Sequence, residues 1–140
     1  MVDRGSDNNT LGTASGIWIN RQLLRQQPKY FDVIVTIAVK RRLNTLVGPS
    51  ILDAINFHLQ KLNDGADLSQ VASQPELIEK GLRQFFWEGA KVLIRESIFA
   101  AYREFGLIPD REYVSMHDAL SELFNKVSQP DYNNKSWLQF

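Results

Sequence analysis

Phe31-Asp32-Val33-Ile34-Val35-Thr36-Ile37-Ala38-Val39-Lys40-Arg41-Arg42-Leu43-Asn44 is the stretch that decides the fold. Its run from Val33 to Val39 has the β-branched composition of a buried strand, and a strand is one reading of it. Against that stands the polar set Asp32, Thr36, Lys40 and Asn44, which is spaced by four and draws one narrow stripe along an otherwise apolar cylinder. The spacing predicts a largely buried helix from about Pro28 to Val47. Gly48 then stops it, and Pro49 restarts the chain.

Working outward, a second helix is expected from about Pro49 to Leu62, opened by a capping-box-like Ser50 and Asp53. Ile51, Ile55, Leu59, Leu62 and His58 share one of its faces, and Phe57 points the opposite way. A third begins at Ser73-Gln74-Pro75-Glu76, an S-x-x-E start, with Gly81 in the middle of its apolar face; close approach of a neighbouring helix is the plain reason for a glycine there. A fourth, from about Glu88 to Phe105, is apolar on most of its circumference. It is either the hub of a bundle or half hub and half subunit interface, and Gly106-Leu107 reads as a Schellman-type stop. A fifth, from about Asp110 to Val127, carries Tyr113, Met116, His117, Leu120, Leu123, Phe124 and Val127 at steps of three and four. That stripe is expected to pack on the bundle, although a dimer seam would look the same. The fold class is therefore all-α, a compact bundle of about five helices in one domain over residues 17–127. A flexible polar arm, 1–16, precedes it and a tail, 128–140, follows. The tail ends in the apolar cluster Trp137-Leu138-Gln139-Phe140, which docks on its own domain or on a partner.

The 140 residues contain no cysteine, which excludes zinc fingers, iron–sulfur clusters and thiol catalysis. No H-x-x-x-H, G-x-x-x-x-G-K or G-x-G-x-x-G occurs, and His58 and His117 are far apart in the sequence. The chain is thus expected to hold no metal and no cofactor and not to be an enzyme; an enzyme would need a polar pocket around one of the two histidines. No apolar leader and no run approaching the ~20 residues of a membrane span is present, so a cytoplasmic protein without membrane contact is expected. The Asn8 and Asn134 sequons read as chance matches in polar tails.

Sixteen basic and sixteen acidic residues cancel, but not locally. Residues 1–62 hold eight basic and four acidic side chains, net +4, and residues 63–140 hold eight and twelve, net −4. Packing of one half on the other, head-to-tail association or a basic face for an anionic partner would each use that asymmetry. Lys40-Arg41-Arg42 is the densest basic cluster. With Arg21, Arg25 and Lys29, and with Trp18, Tyr30 and Phe31 as stacking groups, it defines a nucleic-acid surface as the alternative function. The favoured expectation is a non-enzymatic helical regulatory or protein-interaction module. It would self-associate through Phe57, Val92 and Phe99, or dock a partner through Trp137 and Phe140.

Two phrases carry a likeness to a known family. They are Leu46-Val47-Gly48-Pro49-Ser50-Ile51-Leu52-Asp53-Ala54-Ile55-Asn56-Phe57-His58-Leu59-Gln60-Lys61 and Phe86-Trp87-Glu88-Gly89-Ala90-Lys91-Val92-Leu93, followed by Phe105-Gly106-Leu107. On these the stretch from about Phe31 to Leu107 resembles the archaeal Nitrosopumilus output-domain family, the fifth type. The resemblance implies a small archaeal helical module connected by name with signal output, and it brings no catalytic chemistry with it. Trp87 departs from the family pattern, which favours Gly there, and this puts a tight turn at that point in question.

Overall fold

A computed structural model describes residues 29–113 and 115–128, and within them the chain is all-helical. Five α-helices follow one another: α1 Tyr30–Val47, α2 Pro49–Leu62, α3 Pro75–Phe86, α4 Ala90–Arg103 and α5 Met116–Val127. Two short 3-10 turns, Leu68–Gln70 and Trp87–Gly89, lead into α3 and α4. The arm, the tail, Arg21, Arg25, Trp137 and Phe140 lie outside the described residues.

The 33–39 segment is helical, and α1 buries Phe31, Ile34, Val35, Ala38, Val39 and Leu43. Its solvent face is not the expected narrow stripe, however. Val33 and Ile37 stand about half exposed beside Arg41, while Thr36 and Lys40 are partly covered. Step-four spacing identified the helix, and Asp32 and Asn44 are exposed as it requires, but the outer face is wider than the stripe and is centred in mid-helix on Val33, Ile37 and Arg41. A stripe one residue wide does not reveal which neighbouring positions other helices will leave open.

The apolar circumference of α4 is largely consumed, since it packs on α1, α3 and α5 and buries Leu93, Ile94, Ile98, Ala101 and Tyr102. Its interface with α1 is the most extensive in the bundle. Gly106 closes it at φ 76°, where Leu107 N–H reaches Tyr102 O at 3.1 Å and Gly106 N–H reaches Arg103 O at 3.0 Å, the expected Schellman pair. Gly81 of α3 is buried against α2. A Cβ placed on it would collide with Leu59 Cδ2 and stand 3.4 Å from Leu59 Cγ, which is the close approach its position suggested.

Several local expectations are corrected. Neither Ser50 nor Ser73 caps a helix; Gly48 and Gln74 occupy the N-cap positions without a side-chain bond. The capping box lies instead at Asp67 and Gln70, the N-cap and third residue of the first 3-10 turn. The Asp67 carboxyl is opposed by burial, but the backbone N–H of Ser69, the Gln60 amide and nearby Lys40 outweigh it and hold the group below its ordinary range.

Helix α5 starts at Met116, not near Asp110. Ser115 is extended at φ −147° and accepts the Asp118 N–H at 3.1 Å, while Glu79 of α3 accepts the Met116 N–H at 2.9 Å. Two orphan donors of the helix start are thereby satisfied, one of them across the bundle. Residues 110–113 form a strap instead, tied down by Arg111–Glu122 and Lys126–Asp110 and by Tyr113 on Tyr102. The buried stripe of α5 is Met116, Ala119, Leu120, Leu123 and Val127. Because that stripe packs within the bundle, it is not a dimer seam, and His117 falls outside it, exposed beside Asp118.

Candidate functional site: an aromatic edge and a basic-rimmed cleft

Phe57 of α2 is 61% exposed, and its neighbour His58 lies half-buried with its ring 5.2 Å from Phe85 of α3. Phe85 meets Phe86 edge-on at 4.8 Å, and the next residue, Trp87, is 79% exposed. Exposed aromatics therefore stand on α2, at the end of α3 and in the turn before α4, an aromatic edge in which His58–Phe85 is the one ring contact between α2 and α3 among the described residues. His58 Nε2 is buried without a hydrogen-bond partner, so the imidazole serves as a packing ring and not as half of a polar pair.

Trp87 sits at φ 56° and ψ −122°, a backbone region that L side chains rarely occupy, and its N–H caps α3 through Arg83 O. A tight turn is thus present at Trp87, with its Cβ held in a conformation that glycine adopts freely. Phe57 was legible from its helical phase. Trp87 and Phe85 were missed as surface groups, because composition assigns large aromatics to a core.

Val92 and Phe99 lie on the outer strip of α4, apart from Phe57, since α2 and α4 form no extended interface. Phe99 faces a cleft of about 570 Å³ between α4 and the strap, Pro109 and Ser115 included in its wall. Ile94, Ile98, Phe99, Pro109 and Tyr113 give the cleft an apolar floor. Arg83, Lys91, Arg95 and Arg111 surround it, against two carboxylates, Asp110 and Glu112. Three of the four cations are already engaged. Arg83 binds Glu79 at 2.8 Å; Arg111 binds Glu122 at 2.7 Å and stacks on Tyr113 at 4.6 Å; Lys91 meets Glu88 in an exposed contact at 3.1 Å. Among the described residues Arg95 has no carboxylate partner. The floor is braced from below by Tyr102, whose buried hydroxyl donates to Ala119 O at 2.9 Å and accepts from Tyr113 at 2.8 Å. Burial, followed by the bond to Tyr113, pushes the Tyr102 phenol above the ordinary tyrosine range.

The basic cluster of α1 does not form one surface. Lys40 donates to Ser69 Oγ at 3.0 Å, and Arg42 reaches across to Glu96 of α4 with both Nε and Nη2, the latter at 2.7 Å. Arg41 alone points to solvent, and Phe31, read as a stacking group, is buried between Phe105 and Phe124. Among the described residues Arg42–Glu96 is also the one ion pair that joins the basic half of the sequence to the acidic half.

Among the described residues no three His, Asp or Glu side chains are placed to hold a metal ion, and no helix is long and apolar enough to cross a membrane. The two histidines lie on different helices, and His117 lines a second cleft of about 370 Å³ together with Asp32, Ser73, Ser121 and Asn125. Comparison with known proteins returns no family model, no curated protein and no solved structure that matches this chain.

Proposed function

We propose that this chain is a non-catalytic helical interaction module of regulatory type that pairs with a second copy of itself through the aromatic edge of α2 and α3. The observation that carries the reading is Trp87, a large aromatic held almost fully in solvent by a backbone conformation that costs free energy. Strain of this kind persists where the surrounding structure enforces it, and it concentrates at functional positions.

Phe57, Phe85 and Trp87 together present on the order of 400 Å² of aromatic surface. That is about half of the ~800 Å² each partner contributes to a stable complex, and Trp is the residue type most often found at interface anchors. The polar rim that such an interface needs is supplied by Lys61, whose ammonium lies 5.0 Å above the Phe57 ring.

Sedimentation or light scattering at 10–200 μM tests it. A dimer that Phe57→Glu converts to monomer, with the helical circular dichroism retained, is the expected result. A strict monomer at the highest concentration overturns the proposal.

A further inference from the structure

The cleft beside α4 is separate from the aromatic edge and has the make-up of a small-molecule site. We propose that it binds an amphipathic anion, a hydrophobic carboxylate whose apolar body lies on Ile94, Ile98 and Phe99 and whose head group is taken by Arg95.

The volume of about 570 Å³ falls within the ~300–1,000 Å³ typical of small-ligand sites. Ile94 and Ile98 are nearly fully covered, so the floor is closed. Residues 91, 95 and 99 follow one another at steps of four along α4, and this places the Lys91 ammonium, the Arg95 guanidinium and the Phe99 ring in one file at the mouth. Arg83, Lys91 and Arg111 are neutralised by Glu79, Glu88 and Glu122, and Asp110 by Lys126 at 3.3 Å, so among the described residues Arg95 and Glu112 are the lining charges left to meet a ligand, and Arg95 is the one an anion can use. Arg95 is the cation left without a carboxylate, and a guanidinium next to apolar surface offers a carboxylate two parallel hydrogen bonds. The other anion-binding groups at the rim already have acidic partners, so a ligand with a single anionic head fits better than a polyanion.

Titration of the full chain with sodium decanoate, followed by amide chemical shifts, tests the assignment, with 1-decanol as the uncharged probe. Saturable shifts confined to residues 91–99 and 109–115 are expected. Arg95→Gln should weaken decanoate binding at least tenfold and leave decanol unchanged, and Glu112→Gln should leave decanoate binding unchanged or tighten it. Unsaturable shifts spread over Phe57 and Trp87 as well, equal loss in the Arg95 and Glu112 variants, or no shift at all would each overturn the proposal. The variants are read at positions exposed to solvent, and the wild-type titration stands by itself should either fail to fold. Failure here leaves the self-association reading untouched, because that is measured by mass on a different surface.

Discussion

Replacing Trp87 by Gly and by Ala tests the backbone argument with a change of sign. At an ordinary position Gly is less stable than Ala by about 0.5–1 kcal/mol, because the unfolded chain gains freedom. At φ 56° and ψ −122° the Cβ that Ala shares with Trp stays in a disfavoured region, and Gly removes it. Relief of such strain amounts to ~1–3 kcal/mol, so Gly should exceed Ala by about 1 kcal/mol. Both variants lose the same indole contacts, which are few for a ring 79% exposed, and both lose the same contribution to self-association. The difference between them therefore isolates the backbone. Urea unfolding at low micromolar protein reads it as a midpoint shift of roughly 0.5 M. In thermal melts it corresponds to about 3 °C for a domain of this length. Ala equal to or more stable than Gly would refute the strain, and with it the observation on which the proposed interface rests.

Gly81→Ala should destabilise in spite of its better helix propensity, since the new methyl meets Leu59 in a closed core; overpacking of ~1–3 kcal/mol exceeds the ~1 kcal/mol propensity gain. Denaturant melts check it, and in a double-mutant cycle with Leu59→Ala the two losses should be less than additive, because the smaller side chain makes room for the new methyl. Tyr102→Phe leaves the Tyr113 hydroxyl without its acceptor and should cost about 1 kcal/mol. Because the folded Tyr102 phenol is raised relative to the unfolded one, it favours the protonated form. Its contribution to stability is therefore full below pH ~10 and declines above it, and a chevron or melt series across pH 8–11 should show a shallower alkaline decline in the Phe variant. Ser115→Ala removes the side-chain cap of α5 and should lower stability by ~1 kcal/mol, with amide exchange accelerating first at residues 116–119.

The helices themselves were legible, and for reasons local to the chain. Apolar spacing located all five, Gly48 and Gly106 marked two of their ends, and Gly81 announced a close helix contact before any partner helix was known. These features depend on backbone preferences and on side-chain phase, which neighbours along the chain determine. The late start of α5 was not legible. Its N-terminal donors are satisfied by Glu79 from another helix, 37 positions earlier in the chain, and by strap contacts that outcompete an ordinary first turn at Asp110. Periodicity alone put Tyr113 and His117 into a stripe that the packing then shortened.

The candidate surfaces divide in the same way. Phe57 showed its outward position by helical phase alone. Whether Lys40, Arg41 and Arg42 formed one basic face depended on where Ser69 and Glu96 lay, and the bundle separates them into a loop contact, a free cation and an interhelical bridge. The cleft in which Arg95 has no carboxylate partner among the described residues exists only because α4 and the 110–113 strap are brought together, and no spacing within α4 predicts it. The sequence by itself determined that this is an all-helical chain without cysteine chemistry, since those properties follow from composition and from periods of three and four residues. Which charges are neutralised, which aromatics remain in solvent and where the backbone is strained were decided by tertiary structure, because each depends on distances between residues that the chain brings together only on folding.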